Sequence, residues 1–335
     1  MKRYINRPST AQSGFSLVEI MVAMVVGLLA TMVIMQVLSV FELQKRTTTG
    51  TADAQTNGSI SLFNISRDLQ MAGYPLVPVK NSALDCVALT VDGIAGFNHT
   101  SLSPVTIVDG PVSDTITIRY GNSFSGGSPG TITAVGAPGP NDITLNSNLG
   151  CQVGDVSLIT SGFSCALSKV TAVAADDVSV TLDNPAGAVP NANLACLGDQ
   201  WMAVTYDVTA DGNLQRNGEP LIAGIVNLQA QYGVSLNVAS NTVALWVDAT
   251  GPYDAATITQ ANRNLIKAVR IAVVGRSAKR EMEVVTPGPV PAWSGPGAPA
   301  VDLTGYGTDW DHYRYRAFDT IIPLRNVIWA KGTLQ

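Results

Sequence analysis

Gly14-Phe15-Ser16-Leu17-Val18-Glu19 opens an apolar run that continues to Phe41, and Glu19 is the only formal charge between Phe15 and Val40. From Ile20 to Val40 there is no charge for 21 residues. As a helix rising ~1.5 Å per residue this stretch spans about 32 Å, matching a hydrocarbon core of about 30 Å. A solitary acid at that depth is costly, so Glu19 points to function. The preceding segment carries Lys2, Arg3 and Arg7 and no acid, which predicts a cytoplasmic N-terminus.

A secretory signal peptide has an apolar region of about 7–15 residues followed by a small-residue cleavage site. This run is much longer and leaves into Glu42-Leu43-Gln44-Lys45-Arg46. A plain signal anchor fits the length and gives Glu19 no purpose. The stretch Gly14 to Glu19 resembles the type IV prepilin signal, in which a peptidase on the cytoplasmic face cuts after the glycine and methylates the new amino terminus. The resemblance implies a leader at 1–14, with Gly14 before the cut and Phe15 as the methylated residue. Glu19 is then expected to meet the Phe15 amino group of a neighbouring subunit. A buried ion pair stabilises weakly, but loss of one partner leaves a costly unpaired charge. Glu19 is therefore expected to set the register between subunits rather than supply their cohesion.

The full chain has formal charge −5, and removal of residues 1–14, which hold three basic side chains and no acid, makes it −8. That balance offers no broad basic surface for nucleic acid. Cys86, Cys151, Cys165 and Cys196 all follow the apolar run, none in a C-x-x-C pair, and His99 and His312 lie far from metal-ligand spacing. Zinc is not expected. Four cysteines on the oxidising side of a membrane read as two disulfides with three possible connectivities, against the alternative of four free thiols. The short strand–turn–strand loop favours Cys151–Cys165, which leaves Cys86–Cys196.

The fold class expected is α+β: a long N-terminal helix over 15–72, membrane-spanning at about 18–41, packed on a large β-rich domain over 75–335. Gly73 and Pro75 stop the helix, and the Thr47–Thr51 cluster with Gly50, then Asn57-Gly58, is expected to weaken or kink it. Arg67 and Asp68 read as a solvated helix face. Beyond Val77, alternation marks strands at Asp114–Tyr120 and Asp177–Leu182, and Trp201–Val208 reads as another strand. Further strands are expected at Leu221–Tyr232, Thr242–Val247 and Ile266–Val274, with turns at Asp211-Gly212 and Asn217-Gly218. The Gly/Pro-rich stretches 123–140 and 286–300 read as loops, the second an exposed insertion or a partner-binding loop anchored by Trp293. Asp176-Asp177 reads as a solvated turn. The run from Asp207 to Glu219 departs from calcium-loop spacing and reads as a hairpin turn. Neither a nucleophile elbow, a P-loop nor a dinucleotide fingerprint is present, so no enzyme and no cofactor is expected.

Tyr313-Arg314-Tyr315-Arg316-Ala317-Phe318 followed by Pro323-Leu324-Arg325-Asn326 is similar to the C-terminal signature of PilW-type minor pilins. Leu221 to Gly233 and the Ala268-Val269-Arg270-Ile271 strand share that resemblance, whereas residues 77–200 contribute little to it. It implies a single-pass inner-membrane protein with a periplasmic domain, later part of an extracellular type IV pilus. The partners implied are the prepilin peptidase, other minor pilins, the major pilin and the inner-membrane assembly platform. The role implied is priming of assembly near the tip, in support of twitching, adhesion or DNA uptake. A type II secretion pseudopilin and a ligand-binding tip adhesin are the alternatives.

Overall fold

The computed structural model describes residues 14–76, 86–91, 102–295 and 297–328; most of the expected leader and His99 lie outside them. A single helix, α1 (Leu17–Met71), is followed by a β-rich body, as the sequence predicts. The chain divides into two compact units, 1–50 and 51–335. The first contains the apolar half of α1, the one helix among the described residues long and apolar enough to cross a membrane. The helix is not interrupted at the expected positions: α1 is continuous in its hydrogen bonding through Gly50 and Gly58. Hydroxyls inside it are satisfied locally, Thr48 Oγ1 donating to the Gln44 carbonyl at 2.9 Å and Ser61 Oγ to that of Asn57 at 2.7 Å, the back-bonding available to mid-helix Ser and Thr.

In the second unit three larger sheets and one two-stranded sheet form among the described residues. The strands are β1 (Ala88–Val91), β2 (Val105–Val108), β3 (Thr115–Gly121), β4 (Gly130–Val135), β5 (Asp142–Leu145), β6 (Val156–Ser161), β7 (Ser164–Val173), β8 (Ser179–Leu182) and β9 (Asn193–Cys196). They continue as β10 (Trp201–Val208), β11 (Asn213–Arg216), β12 (Glu219–Ala223), β13 (Ile225–Val234), β14 (Leu245–Val247), β15 (Ile266–Arg276), the short pair β16 (Val290–Pro291) and β17 (Ala300–Val301), and β18 (Tyr315–Pro323). Short helices α2 (Gln260–Leu265) and α3 (Arg325–Ile328) flank β15 and end the described chain.

One sheet is ordered β12-β11-β10-β3-β2 and a second β14-β13-β15-β18. Helix residues Ile65, Leu69 and Ala72 share a core with Ile116, Ile118, Val204 and Tyr206 of the first sheet and Val269, Ile271 and Val273 of the second. The expected strand Leu221–Tyr232 is divided at Gly224, whose φ of +77° suits glycine. The two turns fall where predicted, with Asn217 and Gly218 joining β11 to β12 at positive φ, the geometry of a two-residue hairpin.

The third sheet closes on itself. β7, β6, β9, β4, β5 and β8 pair in sequence and β8 returns to β7, a ring of six antiparallel strands; β1 runs parallel beside the first half of β7. This barrel fills the connection between β3 and β10, which are themselves neighbours with Gly121 opposite Trp201. Ile132, Ile143, Ile159, Val170, Val180 and Leu194 fill its interior. On the opposite face of its wall, Leu158 and Leu167 join the core shared with the helix.

Disulfides join Cys86 to Cys165 and Cys151 to Cys196, correcting the expected pairing. Alternation along the wall decides it. Cys165 turns toward the main core, whereas Cys151 and Cys196 border the barrel interior, so a bond between Cys151 and Cys165 would have to cross the wall.

Candidate functional site: the N-terminal helix and its clasp

Gly14, Phe15 and Ser16 precede α1, and Phe15 is 82 % exposed. Ser16 stands immediately before the first helical residue and Glu19 is third within the helix. The Ser16 N–H donates to Glu19 Oε2 at 3.4 Å, a long version of the reach-back bond of a capping box, in which the acid at the third helical position satisfies the donor of the capping residue. Glu19 therefore has a local partner in the single chain, a role the Ser-x-x-Glu spacing encodes and the sequence reading overlooked. From Leu17 to Phe41 the large apolar side chains are exposed.

Along its second half α1 presents small and apolar residues at a spacing of three and four. Ala54, Gly58, Ser61, Ile65, Asp68, Leu69 and Ala72 are buried, the stripe expected of a helix docked on one side. Two glycines permit close approach. A Cβ on Gly58 would overlap the Phe318 ring of β18, and one on Gly275 of β15 would lie 2.9 Å from the Ala54 carbonyl oxygen. Asn57 Nδ2 donates to the Ala223 carbonyl at 3.0 Å, and Asn326 Nδ2 to that of Ala72 at 2.9 Å. The latter satisfies an acceptor left over at the helix C-terminus. The segments around 221–233 and 313–326 thus both touch the helix.

Asp68 corrects the expected solvated face. It is buried, accepting from Tyr206 Oη at 2.7 Å and from Arg216 at 3.0 Å. Burial first, and then the Asp68 carboxylate, push the Tyr206 phenol far above its ordinary range, so it remains a donor. Arg67, one residue earlier, is exposed. Sequence reasoning missed this cluster because its members are 138 and 148 residues apart.

Trp293 is likewise buried, not an exposed anchor. The 286–300 segment folds back as β16 and β17 and places Trp293 in a small core with Val226, Ala272 and Val274. The 123–140 segment contributes β4 to the barrel. Asp176 is solvated as expected, its carboxylate accepting from Val178 N and Ser179 N in a turn. Asp211-Gly212 turns β10 into β11. Among the described residues no group of His, Cys, Asp or Glu is arranged to hold a metal ion.

Residues 9–35 match the family model of the prokaryotic N-terminal methylation motif, and residues 191–326 match that of Type IV Pilus-assembly protein W. The second match spans β9 to β18 and so contains Phe318, Arg216 and Tyr206, which touch α1, while the other five barrel strands precede it. No curated protein matches in sequence. Among solved structures, a type IV-like pilin from Thermus thermophilus is similar at 12 % identity and TM-score 0.37, covering 83 % of this chain and 96 % of that one. Pilins are a structural class of protein, not an enzymatic one. The N-terminal segment thus matches the prepilin-type methylation motif, and the C-terminal region from 191 to 326 matches the PilW-type pilus-assembly family.

Proposed function

We propose that the protein is a minor pilin that helps initiate type IV pilus assembly and enters the filament near its tip. Before assembly it waits in the inner membrane, spanning it at about 18–41, with the N-terminus cytoplasmic and the 75–335 domain periplasmic. The prepilin peptidase removes residues 1–14 after Gly14 and methylates Phe15. Glu19 then exchanges the Ser16 N–H for the Phe15 amino group of an adjacent subunit and fixes the axial register. Other minor pilins, the major pilin and the assembly platform are its partners; twitching, adhesion or DNA uptake follow from the pilus.

The observation that carries this reading is the division of labour along α1. Its first half exposes apolar side chains, while one stripe of its second half is buried against the body, in part by residues of the PilW-type region. A single-copy globular body of this size also suits a tip better than a crowded shaft. The test is mass spectrometry of the chain recovered from membranes and from sheared filaments. The expected result is an N-methylated Phe15 terminus, co-recovery of minor pilins, and loss of piliation on deletion. Normal piliation without the gene would overturn the initiation role, and loss of exoprotein export instead would assign the chain to secretion.

A further inference from the structure

Arg270 sits on β15 directly between Gln231 of β13 and Ile321 of β18. Its guanidinium carbon lies 4.4 Å from the centroid of the Trp246 ring and 5.3 Å from that of Trp293. Both contacts fall within the range of cation–π attraction. Stacking occupies the faces of a guanidinium and leaves its terminal Nη1 and Nη2 groups in plane, an edge that grips a carboxylate in bidentate fashion. Yet among the described residues no carboxylate pairs with Arg270, and its buried Nε has no acceptor. The buried Nε1 of Trp293 also lacks one. Asp248, across β13, accepts from Gln231 Nε2 at 2.7 Å, and Asp319, on the same face of β18 as Ile321, makes no ion pair with Arg270.

The clamp is also positioned by the chain. A Cβ on Gly233 would lie 2.9 Å from Trp246 Cζ3, so glycine at that point of β13 is what lets the indole lie against the sheet. Trp293 is delivered by the folded-back 286–300 segment. Three separate stretches of sequence therefore converge on one cation with no ion pair among the described residues, in a chain whose acids outnumber its bases.

We infer that Arg270, held between Trp246 and Trp293, is a recognition site for a carboxylate carried by a protein partner. The side chain on the partner is an Asp or Glu. A protein is favoured over a small acid because Ile321, beside Arg270 in register, is 49 % exposed and offers an apolar contact next to the charge. That pairing suits a surface better than an enclosed ligand. The site does not depend on the assembly role proposed above.

The full-length protein in detergent micelles is titrated with acetate and, separately, with a tetraglutamate peptide, at constant ionic strength set with sodium chloride. Tryptophan fluorescence is the readout, with near-ultraviolet circular dichroism as the control for folding. The expected result is a saturable change with both probes, with the peptide at least tenfold tighter. The response should vanish in Arg270→Gln. It should weaken about tenfold in Arg270→Lys, which keeps the charge and loses the fork, and also in Gly233→Ala, which displaces Trp246. The two milder variants decide the matter if Arg270→Gln does not fold. Equal titrations in wild type and all variants, or an equal response to chloride, would overturn the site. A response to acetate with none to the peptide would overturn the protein partner.

Discussion

Asp68 of α1 and Arg216 of β11 meet at 3.0 Å, with the carboxylate buried and the guanidinium 34 % exposed. The pair fastens the helix to the body from a position that sequence alone assigns to solvent.

Removing one member of a fully buried pair costs about 3–5 kcal/mol. Water reaching Arg216 offsets part of that loss, so Asp68→Ala should destabilise the body by about 1–3 kcal/mol. Urea unfolding in micelles measures it. An Asp68→Ala protein as stable as wild type would show that the pair contributes nothing to docking.

Gly58 should resist substitution despite lying in a helix, where Ala is favoured over Gly by about 1 kcal/mol. Overpacking against Phe318 opposes that gain and costs about 1–3 kcal/mol. Gly58→Val is therefore expected to lower the melting temperature, and adding Phe318→Ala should recover part of the loss. Strict additivity of the two changes would mean that the residues do not pack together.

Reading these contacts back to the sequence shows what local pattern can encode. The end of α1 and the position of β3 were legible because Gly73, Pro75 and strict alternation act within a few residues. Asp68, Trp293 and the cysteine pairing were not. Each depends on which face of a distant strand arrives, and residue type there suggests only average exposure. Barrel closure was equally hidden, since five of its six strands have only four to six residues and several pair across long intervals. The capping box at Ser16 and Glu19 is local enough to be encoded in the Ser-x-x-Glu spacing itself.

Asp114 carries a pH dependence. Its side chain is buried, accepting from Ala230 N at 2.7 Å and Gly110 N at 3.2 Å, with Asp109 nearby. Burial foremost, and also Asp109, outweigh these bonds and raise its pKa to about 7. A carboxyl whose folded pKa is raised binds more protons folded than unfolded, so stability falls as pH rises between about 4 and 7 and then levels. Unfolding free energies measured from pH 4 to 8 should show this slope, and Asp114→Asn should flatten it.

The two disulfides should fail differently. Chain-entropy arguments give about 4 kcal/mol for either loop. Replacing Cys86 and Cys165 by serine should release β1 and leave the barrel protected. Replacing Cys151 and Cys196 should raise amide exchange throughout β4 to β9. Hydrogen exchange with mass spectrometry distinguishes the patterns, and identical patterns would count against separate roles.

The barrel leaves and re-enters the body at Gly121 and Trp201, paired across adjacent strands. Traction on the barrel would therefore arrive at two neighbouring strand ends and peel the β3–β10 ladder one rung at a time, the mechanically weak direction. The Cys86–Cys165 bond gives that load a second, covalent route into the segment that follows the helix. In a filament under tension, oxidation state would then determine whether the barrel tears away or holds.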